Sequence, residues 1–587
     1  MKFRHLNKWD SKENLDDLVY LAQLFEELLF DYSLDTYKPS AMNTSLLCQE
    51  ALVTLSDIEK GVIQKPNLNH ILLELSENLK RDEVAKSLIT IDIKKIISII
   101  KNKTAPISEV EVVLELMWSE LRLDKYKKRN EEYLINAISN DEGRDSLRAL
   151  ARSYVTTLLN FGFSSKYLYE CVVSFFYYSE TKIESKDAIK DFLNIFIKEE
   201  RKYVAVFRAS NIFEKIVDSC SQMGILVSNK LEKYDAILQS KNHVLKNSSE
   251  VYVLVSEIES LDCFSARKEA DDRMELVGTL LTLFHHKEHP QWLKDCVVID
   301  IESNEAKKVT KPLNPMHKCI DLKPEKASKR LNDLIKNFSM DHNSLPKFSR
   351  SAELHSLALN SESEENQMIN LWIALESLVP AKGEKAKIES ITKSIMPFLN
   401  LNYINRLLER LLSDMFNWNT KVLKEFLKEI PGANFRVKLM KLLVLPEYAL
   451  KRDDINNEFK DFQLLRNRFF YISTSLSSPE KVRKVIESHT KRVEWQVRRI
   501  YRARNSIVHA GITPSYTSIL IENIHDYLDI VMSTLVNLAS GGVEIDSIEQ
   551  GFKYIELNCS AYIDSLSDNP AGFTDENIED YLFKYTI

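Results

Sequence analysis

PEKVRKVIESHTKRVEWQVRRIYRARNSIVHAG, residues 479–511, decides how this chain is read. Within it Val482, Ile486, His489, Val493, Val497, Ile500, Arg504 and Ile507 or Val508 recur at steps of three and four, the spacing that lines one face of an α-helix. Gly511 and Pro514 stop that helix, so Arg504, Asn505 and His509 fall in its last turn. Arg504 occupies a stripe position where a structural helix wants leucine. Burying a guanidinium is costly unless it meets an anion or lines a wet cleft. Asn505 and His509, four residues apart, share a face beside it.

A helix of this length needs partners, and they are legible on both sides. ENQMINLWIALESLV (365–379), KAKIESITKSIMPFL (385–399), YINRLLERLLSDMF (403–416), TKVLKEFLKEI (420–430) and ANFRVKLMKLLV (433–444) precede it. One more helix follows over about 515–540, and Gly541 with Gly542 supplies a left-handed stop. Residues 365–542 therefore read as an all-α bundle. Residues 1–200 are also helix after helix, without a fixed-period repeat, and read as a sensor or scaffold. Between them, 201–310 changes character: KYVAVFRA (202–209), ILVS (225–228), EVYVLVSEI (250–258) and CVVIDIES (296–303) are strands, separated by helical stretches. They imply a small α/β sheet covered on one face. Residues 311–364, with Pro312, Pro315 and Pro346 around one short helix, form a connector, and 543–587 an acidic segment. The fold class is mainly α: an amino-terminal helical region, a small central sheet and a carboxyl-terminal bundle.

Glycine usage narrows the chemistry. Among 12 glycines only Gly541 and Gly542 lie within six residues of each other, so neither a GxxxxGK phosphate loop nor a GxGxxG dinucleotide turn exists. The 7 cysteines are scattered with no CxxC pair, which fits buried reduced thiols. The amino terminus lacks the apolar core of a signal peptide and no stretch is long and apolar enough to span a bilayer, so a cytoplasmic protein is expected. The net charge of −7 is uneven. Residues 543–587 carry ten acids against two bases, whereas 481–504 carries nine bases against two acids. A basic helix thus precedes an acidic tail, which could lie across it as a phosphate mimic or dock on the bundle through Tyr581, Leu582, Phe583 and Tyr585.

YRARNSIVHAG (501–511) has an RNxxxH form and resembles the motif of the HEPN superfamily of prokaryotic ribonucleases. NLWIALESL (370–378) looks like the helix that opens the Apea-like branch, and ESLDCFSARKEA (259–270) is similar to what precedes the helical domain there. The resemblance covers about 250–540. An Arg five positions before a His also occurs at Arg350 and His355, and Arg483 to His489 and Arg502 to His509 match looser spacings. Arg504 is singled out by Asn505, the apolar register and the basic helix.

The chemistry follows from the side chains. RNA cleavage without metal needs a base for the 2′-hydroxyl proton and a cation for charge building on the phosphate. His509 fits the first role, Arg504 with its planar donor fork the second, and Asn505 orients the imidazole or a phosphate. Lys491, Arg492, Arg498, Arg499 and Arg502 would meet RNA phosphates, and Glu376, four residues after Trp372 on the opening helix, could face the same cleft. The resemblance implies a composite site in a homodimer, with 2′,3′-cyclic phosphate and 5′-hydroxyl products. No cofactor and no metal is expected. His285, His286 and His289 read as a solvated helix end, His317 and Cys319 as connector residues, and Asp300, Glu302 and Glu305 are too close together for a nuclease metal strand.

The expected function is a metal-independent endoribonuclease effector of anti-phage defence, abortive infection or a toxin system, with RNA as partner, an operon-encoded antitoxin or trigger protein as a second partner, and no membrane. The alternative is a non-catalytic HEPN adaptor or RNA- or nucleotide-binding sensor acting by dimerisation.

Overall fold

The basic, periodic stretch becomes a 27-residue α-helix, Pro479–Asn505, in a computed structural model of the chain. The structure describes residues 1–9, 14–31, 40–61, 65–102, 104–197, 199–318, 321–380, 387–541, 543, 545–567 and 572–584. Among these are 25 α-helices and one five-stranded antiparallel sheet, so the fold is mainly α with a small central sheet. No helix among the described residues is long and apolar enough to cross a membrane. The chain divides into two compact units: residues 1–6, 11–153 and 314–587 form a helical unit, and 7–10 with 154–313 a sheet unit.

In the sheet unit, β1 (Arg201–Ser210), β2 (Ile225–Ser228), β3 (Glu250–Ser260), β4 (Trp292–Asp300) and β5 (Ala306–Thr310) lie in the order β2-β3-β1-β4-β5. Both faces are covered, where the sequence suggested one. Tyr203, Ala205, Phe207 and Ala209 pack under helix Cys263–Thr282 through Phe264, Ala270 and Met274, while Val204, Val206, Leu254 and Ile299 face Leu231 and Leu238. The reason stands in β1 itself: Tyr203–Ala209 is buried without interruption, and a half-solvated strand would alternate apolar with polar. Strand β5 escaped the sequence reading because AKKVT buries only Val309, its lysines serving as the charges that blunt an edge. Helix Cys263–Thr282 is pinned by Arg267, fully buried, whose guanidinium donates to Asp271 at 2.9 Å and to the carbonyls of Lys294 and Val309 at 2.5 and 2.6 Å.

In the helical unit the Pro479–Asn505 helix is capped by Ser478 and buries Val482, Ile486, Val493, Val497 and Ile500 against helices Lys387–Leu401, Thr517–Ser540 and Ile548–Ser567. His489, in the same stripe, stacks flat on Tyr403 with ring centroids 3.7 Å apart. The break expected between 416 and 420 appears as a kink at Asn419 inside Tyr403–Lys428, whose side chain caps the second arm by accepting from Lys421 and Val422. Residues more than 400 positions apart meet within this unit. Gln23 of helix Asp16–Leu29 donates to the Asp461 carbonyl at 2.8 Å, and Arg468 of helix Gln463–Ser475 bonds Glu27 and Asp414.

Two expectations change here. The connector holds two full helices, Pro324–Asn337 and Ser344–Asn360, the second packed on Glu364–Leu378. Pro346 lies in its first turn, where the missing N–H is harmless. Gly541, after Thr517–Ser540, is not left-handed, having φ −109° and ψ −159°, while Gly542 lies outside the described residues. Glycine is needed there because an added Cβ would stand 2.5 Å from the Asn537 carbonyl oxygen.

Candidate functional site

Helix Pro479–Asn505 does not end where its α geometry ends. Residues Ser506–Ala510 continue as one π-helical turn, and Gly511, at φ 65°, terminates it in the left-handed region. The turn is closed by Gly511 N–H donating to Ile507 at 3.2 Å, Ile512 N–H to Ser506 at 3.3 Å and the Ser506 hydroxyl to the Ile512 carbonyl at 3.0 Å. Ile507 completes the buried stripe, whereas Val508 is 44 % exposed. Helix Glu364–Leu378 runs beside this end: Trp372 packs on Tyr501 with centroids 5.5 Å apart, and Thr513 donates to Glu365 at 2.7 Å. Glu376 sits half-buried on the same helix.

Arg504 and Asn505 are brought into direct contact. The Arg504 Nη1 donates to Asn505 Oδ1 at 3.0 Å, the amide being buried and the guanidinium half-buried. Arg504 Nε is buried with no hydrogen-bond partner among the described residues. No carboxylate among the described residues pairs with this guanidinium. His509 stands on the π turn, exposed, and makes no hydrogen bond or ion pair among the described residues.

The basic face upstream is not the open, phosphate-facing stripe that the sequence suggested. Arg499 is 2 % exposed and bonds Glu50 of helix Thr44–Glu59 at 3.2 Å and Glu74 of helix Pro66–Leu79 at 2.6 Å. Arg502 is buried and donates to Glu50 at 2.8 Å. Arg498 is also buried, with Glu494 at 3.2 Å. These three guanidiniums are neutralised by protein carboxylates, which leaves Lys491 and Arg492 as the exposed members of the predicted set. Arg492 also donates to the Tyr403 hydroxyl at 3.2 Å. Burial works against the Glu50 carboxylate, but Arg499 and Arg502 outweigh it and hold its carboxyl down at about 2. In Glu74 burial wins: Arg499 offsets it only in part, the like charge of Glu50 adds to it, and the carboxyl moves up.

Nor does the acidic tail lie across these bases as a strap. Helix Ile548–Ser567 buries Ile548, Phe552, Ile555, Cys559, Tyr562 and Leu566 in the bundle, with Phe552 against Phe398 at 4.7 Å. Asp575 and Glu579 engage the buried Lys441 at 2.9 and 3.5 Å, and Glu549 engages Lys347 at 2.9 Å. Tyr585 lies outside the described residues.

The remaining candidates have local explanations. His285, His286 and His289 are exposed beyond the end of helix Cys263–Thr282. Asp300 caps the β4–β5 turn, accepting from Glu302 and Ser303 at 2.9 and 3.2 Å. His317 is exposed, and Cys319 lies outside the described residues. Sequence reading missed Glu50 and Glu74, since nothing local distinguishes them from other helix-surface acids. It also passed over His525 and Asp529, whose four-residue spacing is a readable signal, and dismissed His355 with its chance Arg350 pairing. Comparison with family models, with curated proteins and with solved structures gives no match to this chain.

Proposed function

We propose that this protein is a metal-independent endoribonuclease of the HEPN type, acting as a homodimer, with Arg504, Asn505 and His509 as its reactive set. The observation that carries this reading is the state of Arg504: a half-buried guanidinium held by Asn505, without a carboxylate, one turn before an exposed histidine. Its neighbours Arg498, Arg499 and Arg502 are each matched to a glutamate. Of the six arginines on this helix, Arg483 also meets a glutamate, Arg492 is exposed and meets the Tyr403 hydroxyl, and Arg504 alone is half-buried and left to an amide, which keeps that charge for a ligand.

In the proposed reaction the His509 imidazole takes the 2′-hydroxyl proton, and the 2′-oxygen attacks the adjacent phosphorus. The Arg504 fork takes up the charge growing on the non-bridging oxygens. The bond to the 5′-oxygen breaks, that oxygen gains a proton from water or from the partner subunit's His509, and the products are a 2′,3′-cyclic phosphate and a 5′-hydroxyl. Asn505 fixes the Arg504 fork through its carbonyl oxygen. Because the basic face is occupied by protein acids, substrate is held near the helix end, with Lys491 and Arg492 as outlying phosphate contacts. The biological setting is that of an effector in prokaryotic anti-phage defence, abortive infection or a toxin system.

Incubation of wild-type and His509→Ala protein with cellular RNA in EDTA, followed by mapping of the cut ends, tests this. Wild type is expected to leave cyclic phosphates and the variant to leave the RNA intact. If a folded, dimeric wild type binds RNA or a partner protein without cutting, the non-catalytic adaptor or sensor reading replaces this one.

A further inference from the structure

Away from the Arg504 end, helices Ser344–Asn360 and Thr517–Ser540 bring two histidines and an aspartate to one point. His355 comes from the first helix. His525 and Asp529, four residues apart and so on one face, come from the second. The two Nε2 atoms are 2.9 Å apart, and each lies 3.4 Å from a different oxygen of Asp529. The His525 side chain is 5 % exposed, that of His355 21 % and that of Asp529 47 %, so water reaches the cluster from the Asp529 side.

We propose that His355, His525 and Asp529 bind one divalent transition-metal ion of the zinc class. An ion about 2.0–2.2 Å from each donor in tetrahedral geometry sets neighbouring donors about 3.3–3.5 Å apart. Each imidazole nitrogen already has one Asp529 oxygen at that distance, one donor atom from each of the three side chains lies within 4.8 Å of the others, and a turn of the carboxylate together with a parting of the two rings by about 0.4 Å brings a single oxygen and both nitrogens to one ion. Two imidazole nitrogens and one carboxylate oxygen are the donor set that suits zinc, cobalt, nickel or ferrous ions rather than calcium or magnesium. A hydrogen bond between the two rings accounts for the 2.9 Å contact alone. It uses the one proton that the two Nε2 atoms can share and leaves the Asp529 carboxylate, 3.4 Å from each ring, with no N–H of its own. The surroundings favour a dication. The charges of Asp526 and Asp321 are felt at both His525 and Asp529, and Arg406, 3.3 Å from Asp526, is the cation paired there. The ion clasps Ser344–Asn360 to Thr517–Ser540, with a fourth position open to water.

The test uses the untagged full chain, stripped with EDTA and titrated with Zn2+ by calorimetry and with Co2+ by visible absorption. One ion per chain is expected, with the intense absorption of tetrahedral cobalt. His355→Gln and His525→Gln should each weaken binding at least about tenfold. Asp529→Asn, a change at the exposed side of the site, serves if either histidine variant fails to fold, and the same loss is expected of it. The proposal is overturned if the stripped wild type takes up neither ion, or if the variants bind as tightly as wild type. The readout involves no RNA and stands apart from any cleavage assay.

Discussion

Arg499 Nη2 lies 2.6 Å from the Glu74 carboxylate, in a pair that joins two helices 425 residues apart in sequence and is almost wholly withdrawn from water. Glu50 completes the cluster by bonding both Arg499 and Arg502. A buried ion cluster of this kind is weak evidence of net stabilisation, but removing one member strands the others.

Glu50→Gln is therefore expected to lower the unfolding free energy by about 3–5 kcal/mol, because two guanidiniums lose the carboxylate they share. Chemical denaturation checks this. Replacing Glu50, Glu74, Arg499 and Arg502 together by apolar residues of similar size should cost far less, and a quadruple variant no more stable than Glu50→Gln would contradict the argument.

The stacked His489 makes the helical unit sensitive to acid. Burial, with Arg406 and Arg492 nearby, lowers its pKa from 6.5 to about 3. The unfolded chain takes up this proton below pH 6.5 while the folded one refuses it until about 3, so stability falls as pH drops through that window. His489→Phe keeps a ring on Tyr403 and should flatten this part of the decline, as thermal melts from pH 7 to pH 4 will show.

Truncation after residue 545 should not release activity. The deleted helix carries six buried side chains, and a fully buried large apolar one is worth about 1.5–3 kcal/mol. The shortened chain is expected to melt at lower temperature and to bind a hydrophobic dye. A stable, more active truncation would restore the autoinhibitory strap.

At the helix end, Arg504→Lys keeps the charge and loses the planar fork. On the proposed mechanism it should lower kcat by about 10²–10³-fold. Asn505→Ala should act in the same direction while KM changes little, since it loosens the fork without removing it. Circular dichroism and sedimentation separate both effects from unfolding or loss of the dimer.

Much of this architecture was legible because it is written in local periodicity. The stripe on Pro479–Asn505 needed only steps of three and four, and four of the five strands announced themselves as β-branched runs. Strand β5 did not, since one buried valine carries no period. The basic face was misread for a different reason. Sequence shows that Arg499 and Arg502 lie on one helix, but whether they meet water or Glu50 and Glu74 depends on tertiary packing across more than 400 residues. His355 and His525 fail the same way: 170 positions separate them, and only the pairing of their helices makes them a site. Arg504 and Asn505 were found because they are adjacent and break an apolar register.

The helical unit is assembled from residues 1–6, 11–153 and 314–587, with the sheet unit inserted in its sequence. During synthesis, then, Glu50 and Glu74 leave the ribosome long before the arginines that neutralise them. At about 5–20 residues per second, the 425 residues between Glu74 and Arg499 take roughly 20–85 s to make. For that interval the first helices hold acids whose partners do not yet exist, while the sheet unit, continuous from residue 154 to 313 apart from a short early segment, can close on itself. The helix bearing Arg504 follows both the first helices and the sheet unit along the chain, so any activity it carries arises only after those have been made.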